Sequence, residues 1–331
     1  MKKLLHWGRR WAALALALAL MTSLCAVAET DADLDLKINE DLGDEWWNIL
    51  LLGSDSRDFN SYYGLSDTMV ILSVNMKDGR AKMTSIMRDT WVDIDGVGHQ
   101  KINAANAKGG PELAMRTVNE YFGMNIQHYV LVGIEALADI IDEVGGVEIE
   151  ISSQEMKKIN EQLTYDADEF HMNHKEPLSH AGKVTLNGNQ AVAYARIRKL
   201  DSDYVRTQRQ RNVLLAIASK LQGESLATLV TAATKLMSYT RTNLTMNDIT
   251  TLMGVGVSMD LSQVQQLRLP ADGTFNSVTE NEIWSIRADF PPIRKFCASS
   301  STRTIPTTSS NNSFSHKKQA AAFRDWKATA R

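Results

Sequence analysis

The feature that most constrains the fold is a succession of short apolar segments and longer amphipathic segments between residues 48 and 151. The short segments have the length of buried strands, whereas the longer ones repeat their apolar residues with the helical period. Strands that alternate with helices favour a layered α/β domain with helices on the faces of a sheet. The predicted strands are 49–52, 69–74, 81–86, 129–132 and 147–151, and the predicted helices are 111–122 and 134–144.

Three turn and cap signals support these boundaries. Asp78-Gly79 lies between two predicted strands and is typical of a hairpin turn. Pro111 favours the first turn of a helix, and Gly145-Gly146 is typical of a helix C-terminus.

The second half of the chain has a weaker pattern. Residues 152–185 are polar, and the spacing of their histidines, His171, His174 and His180, fits no standard metal site. We therefore predict a solvated excursion there. Residues 189–223 are then interpreted as a strand, a loop and a helix. Later helices are predicted at 226–237 and 246–257, and a late strand at 264–269.

Residues 1–28 have the pattern of an export segment. Four basic residues precede an apolar run over residues 11–28, and Ala26-Val27-Ala28 has the small-x-small form of a cleavage site. The same run of 18 residues is just long enough to be an uncleaved membrane anchor with its basic end in the cytoplasm. Under both interpretations, the rest of the chain is expected at the extracytoplasmic face of the cell membrane, either anchored or secreted.

Composition divides the remainder into three parts. Residues 29–46 are acidic and are predicted to be a spacer, and residues 47–296 form the main domain. Residues 297–331 are predicted to be a disordered tail, because positions 299–315 hold 11 Ser or Thr among 17 residues.

The charge balance argues against a nucleic-acid-binding protein. The chain has 36 basic and 39 acidic residues, a net charge of −3, and loses four basic residues with the export segment, which leaves −7. A protein this acidic is not drawn to nucleic acid by its overall field. Cys25 and Cys297, its two cysteines, are too few for a disulfide framework or a cysteine-based zinc site.

Four charged segments stand next to predicted strands, which is where α/β folds place their ligand sites. Arginine is in excess in the last of them, which holds six basic and two acidic residues at positions 196–211. Taken singly, each segment is more typical of surface ion pairs or of buried pairs that hold strand ends, such as Arg88 with Asp55. The segments are 53–57, 66–68, 88–90 and 196–211.

The arginines of the last segment predict an anion site. As a strand, Tyr194, Arg196 and Arg198 would share one face. In the following helix, Arg206 and Gln210 fall on the apolar stripe, whereas Arg211 falls outside it. An arginine that points inward needs an anionic partner, and guanidinium groups bind phosphate oxygens in pairs. A phosphate or pyrophosphate is the natural ligand.

Carboxylates supply the second half of the predicted site. Asp55 and Asp67 near a polyphosphate suggest Mg²⁺, which takes one or two carboxylates together with phosphate oxygens. Asp89 is a candidate base or orienting group for an attacking hydroxyl. The four segments contain no histidine, which argues against a Ser-His catalytic triad.

At these residues the sequence resembles the LytR-CpsA-Psr family of cell-wall enzymes, over roughly residues 47–222. The matching motifs are Gly53-Ser54-Asp55-Ser56-Arg57, Ser66-Asp67-Thr68-Met69, Ser85-Ile86-Met87-Arg88-Asp89-Thr90, Lys101-Ile102-Asn103, Gly109-Gly110-Pro111-Glu112, Val144-Gly145-Gly146-Val147, Leu186-Asn187-Gly188-Asn189-Gln190-Ala191, Tyr194-Ala195-Arg196-Ile197-Arg198 and Asp203-Tyr204-Val205-Arg206-Thr207-Gln208-Arg209-Gln210.

The resemblance implies a mixed central β-sheet flanked by helices, with an apolar pocket for a polyprenyl chain. It implies a Mg²⁺-dependent phosphotransferase that moves a phospho-linked glycopolymer, a teichoic acid or a wall or capsular polysaccharide, from polyprenyl pyrophosphate to peptidoglycan. By resemblance, Asp55 and Asp67 hold the metal, and Arg88, Asp89 and Asp67 serve catalysis. The implied pyrophosphate ligands are Arg88, Arg196, Arg198, Arg206 and Gln210.

Two departures from the family pattern stand out. Leu65 occupies the position before Ser-Asp-Thr where an arginine is common, and Arg57 is the candidate to replace that phosphate contact. Met87 stands where a proline is common before the Arg-Asp pair, which leaves the charged groups in place. Two other functions stay open: a hydrolase of lipid pyrophosphate, and a non-catalytic envelope regulator that binds the lipid-linked polymer.

Overall fold

A computed structural model describes residues 35–55, 64–169, 176–197, 200, 203–222, 224–280 and 282–290. The strands are β1 (Trp46–Ser54), β2 (Ser66–Asn75), β3 (Ala81–Ile86), β4 (Trp91–Ile94), β5 (Gly98–Lys101), β6 (His128–Gly133), β7 (Val147–Ile151), β8 (Gly182–Leu186), β9 (Thr240–Thr242), β10 (Gln265–Leu269), β11 (Phe275–Glu280) and β12 (Ile283–Ala288). The helices are α1 (Ala104–Phe122), α2 (Ile134–Glu143), α3 (Ser153–Glu169), α4 (Gly188–Arg196), α5 (Asp203–Gln222), α6 (Leu226–Leu236) and α7 (Met246–Val257).

Six strands form a mixed sheet in the order β10-β3-β2-β1-β6-β9. β1 is antiparallel to β2 and parallel to β6, while β3 is antiparallel to β2 and parallel to β10. The strands β1, β3, β6 and β10 therefore end at one edge of the sheet, where β2 begins. The mixed sheet with helices around it confirms the predicted fold class.

The two faces of the sheet carry different layers. Leu50 and Leu52 of β1 point into the larger core with α1, and Leu51 between them points to the opposite face. This larger core also holds Phe122 and Tyr129, both fully buried. Each large apolar side chain buried there contributes about 2 kcal/mol relative to exposure.

Helix α1 contains the break that its sequence predicts. Gly109 and Gly110 have non-helical backbone angles inside it, and Gly110 has a φ of 71°. The helix restarts at Pro111, whose missing N–H costs nothing in a first turn. The predicted Pro-led helix over 111–122 is confirmed, and a short N-terminal turn precedes it.

The opposite face carries α2, α4 and α5, with α3 and the β7–β8 hairpin outside them. Their side chains form a second core that includes Ile141, Ile159 and Val213. Gly188 fits here because a Cβ at this position would collide with the backbone carbonyl of Ala138 in α2. Gly188 of the Asn-Gly-Asn-Gln motif thus allows α4 to pack closely against α2.

Two predictions for the second half of the chain are wrong. The expected strand near 189 is α4, because the Asn187 side chain and Gln190 form a reciprocal capping box that starts a helix. The expected excursion over 152–185 holds α3 and β8, since Ile159 and Leu163 bury a stripe in the second core. His171 and His174 lie outside the described residues, and His180 is exposed.

The ends of the domain also add detail to the predicted boundaries. Within the predicted acidic spacer, the described part lies against α1, because Asn119 donates to the Leu36 carbonyl and Arg116 to the Asp35 carbonyl. After β10 an unpredicted hairpin, β11–β12, reaches back to β4 through a bridge between Thr90 and Ile286. The predicted tail at 297–331 and residues 1–28 lie outside the described residues.

No helix within the described ranges is long and apolar enough to span a bilayer. The described residues all belong to one compact unit, Asp35–Arg331.

Candidate functional site

The candidate site lies at the sheet edge where β1 and β3 end and β2 begins. Gly53 is needed there because a Cβ would come 2.9 Å from the Thr68 Cβ on the neighbouring strand. The Leu65 carbonyl accepts hydrogen bonds from the backbone N–H groups of Asp55 and Asp67, each at 3.1 Å. These backbone contacts bring the two carboxylates that follow β1 and start β2 to the same edge.

This arrangement raises the pKa of the Asp55 carboxyl. Partial burial raises its pKa, and the nearby charge of Asp67 raises it further, while Arg88 acts in the opposite direction. A cation near both carboxylates would stabilise the ionised form of Asp55. Their oxygens are of the hard type that Mg²⁺ prefers. The residues thus fit the metal in type, although no group of three or more potential metal ligands is found among the described residues.

A chain of ion pairs connects Asp67 to the end of β3. The Arg88 Nη1 lies 2.5 Å from Asp67 Oδ1, and its Nε lies 3.3 Å from Asp89 Oδ2. The Lys101 Nζ lies 2.6 Å from the other oxygen of Asp89. Because the Asp89 side chain is only 9% exposed and both its oxygens accept from cations, this geometry favours the orienting role for Asp89 over the role of base.

The backbone around Arg88 is fixed from three sides. The Thr90 hydroxyl donates to the Met87 carbonyl at 2.6 Å, which closes a turn after β3. Ile102 donates from its N–H to the Thr90 carbonyl, and Ile286 of β12 donates to the Asp89 carbonyl. The guanidinium of Arg88 therefore projects from a rigid turn.

An apolar cavity of about 180 Å³ opens beside these charges, between the sheet and α2, α4 and α5. Its walls are aliphatic on both sides. Its lining also includes five polar side chains, Asp67, Thr68, Arg196, Arg206 and Gln210. The apolar lining residues are Leu51, Leu52, Val130, Val132, Ile134, Leu137, Val192, Ala195, Val213 and Leu214.

Helix α5 presents its arginines in several directions. Arg206 and Gln210, one turn apart, line the cavity as their helical spacing predicts. Arg209 points to α3, where its Nε lies 2.8 Å from Glu155 Oε1, and its guanidinium stands 5.9 Å from the Tyr194 ring centroid. Burial alone would raise the pKa of Glu155, but the hydrogen bonds from Ser152 and Arg209 outweigh it and lower that pKa.

Arg211 corrects a prediction. It was expected off the buried stripe, yet it is 5% exposed. Helix α5 is enclosed by the sheet on one side and by α3 and α4 on others, so buried positions occur nearly all around it. A single apolar stripe therefore does not describe this helix.

The structure brings most of the predicted site residues together. Asp55, Asp67, Arg88 and Asp89 meet at the sheet edge, and Asp67 also lines the cavity with Arg196, Arg206 and Gln210. Arg57 and Arg198 lie outside the described residues, so their roles stay predictions.

Lys101 is a charged member of this site that the sequence reasoning did not single out. Its strand, β5, is four residues long and mostly exposed, so it carries no period-2 signal. The available signal was the Lys-Ile-Asn motif itself. Asn103, in the same motif, accepts with its carbonyl from the Ser66 N–H and fixes the start of β2.

Comparison with known proteins identifies the family. The LytR_cpsA_psr family pattern matches residues 20–291. The chain belongs to the LytR-CpsA-Psr family. The family motifs are thus the same segments that meet at the sheet edge and at the cavity.

Relatives in this family have assigned names. The chain is 38% identical over 181 residues to the polyisoprenyl-teichoic acid–peptidoglycan teichoic acid transferase TagU of Enterococcus faecalis, covering 54% of each chain. It is 35% identical over 225 residues to the transferase TagT of Bacillus subtilis, covering 67% of this chain and 62% of that one. The match thus spans about half to two thirds of the length of these relatives.

Solved structures of the family share the fold. A structure of TagT bound to LIIa-WTA aligns with a TM-score of 0.63 at 26% identity, covering 83% of this chain and 95% of that one. TagT with bound octaprenyl pyrophosphate lipid aligns with a TM-score of 0.59 at 25% identity, covering 83% and 95%.

Proposed function

We propose that this LytR-CpsA-Psr protein transfers a phospho-linked glycopolymer from a polyprenyl pyrophosphate carrier to peptidoglycan, outside the cytoplasmic membrane. The observation that carries the proposal is the placement of Asp67, Arg196, Arg206 and Gln210 on the lining of one apolar cavity. Few ligands need both an apolar wall and several cationic groups, and a lipid pyrophosphate is one of them.

The cavity has an apolar part that suits the prenyl chain of this ligand and a charged part that suits its diphosphate. The aliphatic walls between Leu51 of β1 and Leu214 of α5 suit a prenyl chain, whose burial yields about 0.8 kcal/mol per methylene. The guanidinium groups suit the diphosphate, because their forks pair with phosphate oxygens. The named ligands of the TagT structures, octaprenyl pyrophosphate lipid and LIIa-WTA, support this assignment.

The reaction then exchanges the phosphoanhydride bond of the diphosphate for a phosphodiester bond to the acceptor. A hydroxyl oxygen of the acceptor sugar attacks the phosphorus that carries the polymer. The bond from that phosphorus to the bridging oxygen breaks, and polyprenyl phosphate leaves with the electron pair. Arg88, Arg196 and Arg206 offset the negative charge that builds on the leaving phosphate, which is the main task of a protein in phosphoryl transfer.

Asp55 and Asp67 would hold Mg²⁺, which would neutralise phosphate charge when bound. Asp89 keeps Arg88 and Lys101 in place through its two carboxylate oxygens. With both oxygens engaged, Asp89 acts through the cations it holds, and the acceptor proton passes to solvent. Since the acceptor and the polymer stand outside the membrane, the residues 1–28 act as the export segment or anchor that places the domain there.

The test uses the purified full chain with a fluorescent polyprenyl pyrophosphate–glycan donor, a peptidoglycan oligosaccharide and a Mg²⁺ titration. We expect labelled acceptor and polyprenyl phosphate in equal amounts, and no product without the metal. Arg80→Gln is the matched control, because Arg80 pairs with Asp78 on an exposed turn at the far end of the sheet. Product that forms equally without acceptor identifies a hydrolase, and donor binding with no product at any Mg²⁺ concentration identifies a regulator. Either result contradicts the transferase.

A further inference from the structure

Helix α5 carries two buried arginines, two residues apart, whose partners differ in charge. Arg209 is paired with the carboxylate of Glu155. Arg211 donates from Nε to Gln266 Oε1 at 3.0 Å, from Nη1 to Ser85 Oγ at 2.5 Å and from Nη2 to Gln208 Oε1 at 2.7 Å. All three of these acceptors are neutral, and the side chain is nearly inaccessible to water.

A second buried cation, Arg268, acts on Arg211 through its charge. Arg268 of β10 is 2% exposed, and its Nη2 lies 2.7 Å from Asp272 Oδ1. Burial and the charge of Arg268 lower the pKa of Arg211 to about 10, so Arg211 keeps its charge at neutral pH. Within the described part of the chain, the polar layer between α5 and the strands β3 and β10 thus holds an excess of positive charge.

Such a charge has a cost in the ligand-free protein. Hydrogen bonds to neutral groups satisfy its donors but do not replace the solvation of a buried cation. Buried ion pairs can often be replaced by uncharged residues at no cost in stability, which shows how large the desolvation cost of a buried charge is. An anion bound nearby would offset that cost for Arg211.

The position of Arg211 points to that anion. Its partner Ser85 lies near the end of β3, three residues before Arg88, which stands in the turn that follows this strand. Ser85 pairs with Val70, and Val70 and Thr68 lie on the same face of β2, which forms one wall of the cavity. Gln210, the residue before Arg211, lines that cavity. The Arg211 guanidinium therefore lies behind the polar end of the cavity lining, the rim, where Arg206 and Gln210 are expected to bind the diphosphate.

We propose that Arg211 is a positioning residue for the lipid diphosphate: a fixed, buried positive charge that strengthens diphosphate binding without touching it. The inference rests on the proposed function, because it takes the donor's diphosphate as the missing counter-charge. In general, a unit charge about 10 Å from a phosphate anion, at an effective dielectric constant near 20, changes the affinity for that anion about tenfold.

The experiment compares the wild type with Arg211→Gln, Arg211→Lys and Arg209→Gln in the full chain. Thermal unfolding is measured without ligand. Dissociation constants are then measured by calorimetry for geranylgeranyl pyrophosphate and for geranylgeraniol, the same chain without charge.

We expect Arg211→Gln to raise the ligand-free Tm by about 2 °C and to weaken diphosphate binding about tenfold. Binding of the uncharged alcohol is expected to stay unchanged. Arg211→Lys restores diphosphate affinity, since it restores the charge. Arg209→Gln is expected to lower the Tm, because it leaves the Glu155 carboxylate buried without its cation.

The outcomes separate the two claims. A wild type that binds neither prenyl ligand overturns the proposed function and this inference together. A wild type that binds the diphosphate as tightly as Arg211→Gln does overturns the inference alone, whatever the change in Tm. Equal losses for the diphosphate and the alcohol also overturn it, because they show that Arg211 supports only the shape of the cavity.

Discussion

The space between the sheet and α5 has two halves with opposite chemistry. Over β1 and β6 it is an aliphatic cavity, lined by residues such as Val130 and Leu214. Over β3 and β10 it is a packed polar layer, where Arg211 donates hydrogen bonds to Gln266 and to Ser85. One helix serves both halves, because residues 210 and 214 share a face and residue 211 lies about 100° around from 210. The fold itself thus places charged groups beside an apolar cavity.

The largest expected effect tests whether the cavity arginines serve the reaction. Arg196→Gln and Arg206→Gln should each lower donor turnover at least about 100-fold, because each removes a cation that offsets charge on the leaving phosphate. The rates are measured with the fluorescent donor. Wild-type turnover in both variants would mean that these arginines support only the structure.

The next effect tests the buried ion pair between Arg209 of α5 and Glu155 of α3. Arg209→Gln should lower the free energy of unfolding by about 3 kcal/mol, because a buried carboxylate loses its partner. Urea denaturation measures it, with the exposed Arg80→Gln as control.

The same pair predicts a pH dependence. The pKa of Glu155 in the folded protein is lower than its usual 4.5, so its ionised form stabilises the fold above that value. This contribution disappears as the pH falls through the folded pKa. Glu155→Gln should remove that part of the acid sensitivity, and an unchanged stability profile below pH 5 would contradict the pairing.

A smaller effect tests the apolar half. Leu214→Trp should raise the KM for a long prenyl donor about tenfold by filling the cavity, since a few lost methylene contacts suffice for that change. Leu214→Met conserves the volume and should behave like the wild type. A donor with a very short prenyl chain should respond less to Leu214→Trp, and an equal response would place the chain elsewhere.

The smallest effect concerns Leu65, which is 41% exposed beside Asp55 and Asp67. Leu65→Arg restores the cation common in the family and should tighten donor binding about threefold, the size typical of an exposed ion pair. The dissociation constant of the donor measures it. Weaker binding in Leu65→Arg would show that the rim already holds its full set of cations.

The sequence predicted the central strands and the chemistry of the site for physical reasons. Strands buried on both faces give nearly continuous apolar runs, which is why 49–52 and 69–74 fall inside β1 and β2. The prediction that Arg206 binds an anion followed from its position on the apolar stripe of the helix. Those inferences need only local pattern and charge.

Other features depend on packing that no local pattern contains. Helix α4 has the short apolar composition of a strand, and only its capping box indicated a helix. Arg211 is buried because α5 is enclosed on several sides, which a single helical stripe does not show. Lys101 joins the site through its contact with Asp89, which is made across a turn and a short exposed strand.

The most direct measurement of the central claim is a mass spectrum of the lipid that co-purifies with the wild type and with the Arg196→Gln/Arg206→Gln double variant. We predict polyprenyl phosphate or pyrophosphate in the wild type and its loss in the double variant. A wild type that carries no prenyl lipid, or one whose prenyl lipid is retained in full by the double variant, would contradict the claim that the charged rim and the apolar cavity bind one molecule.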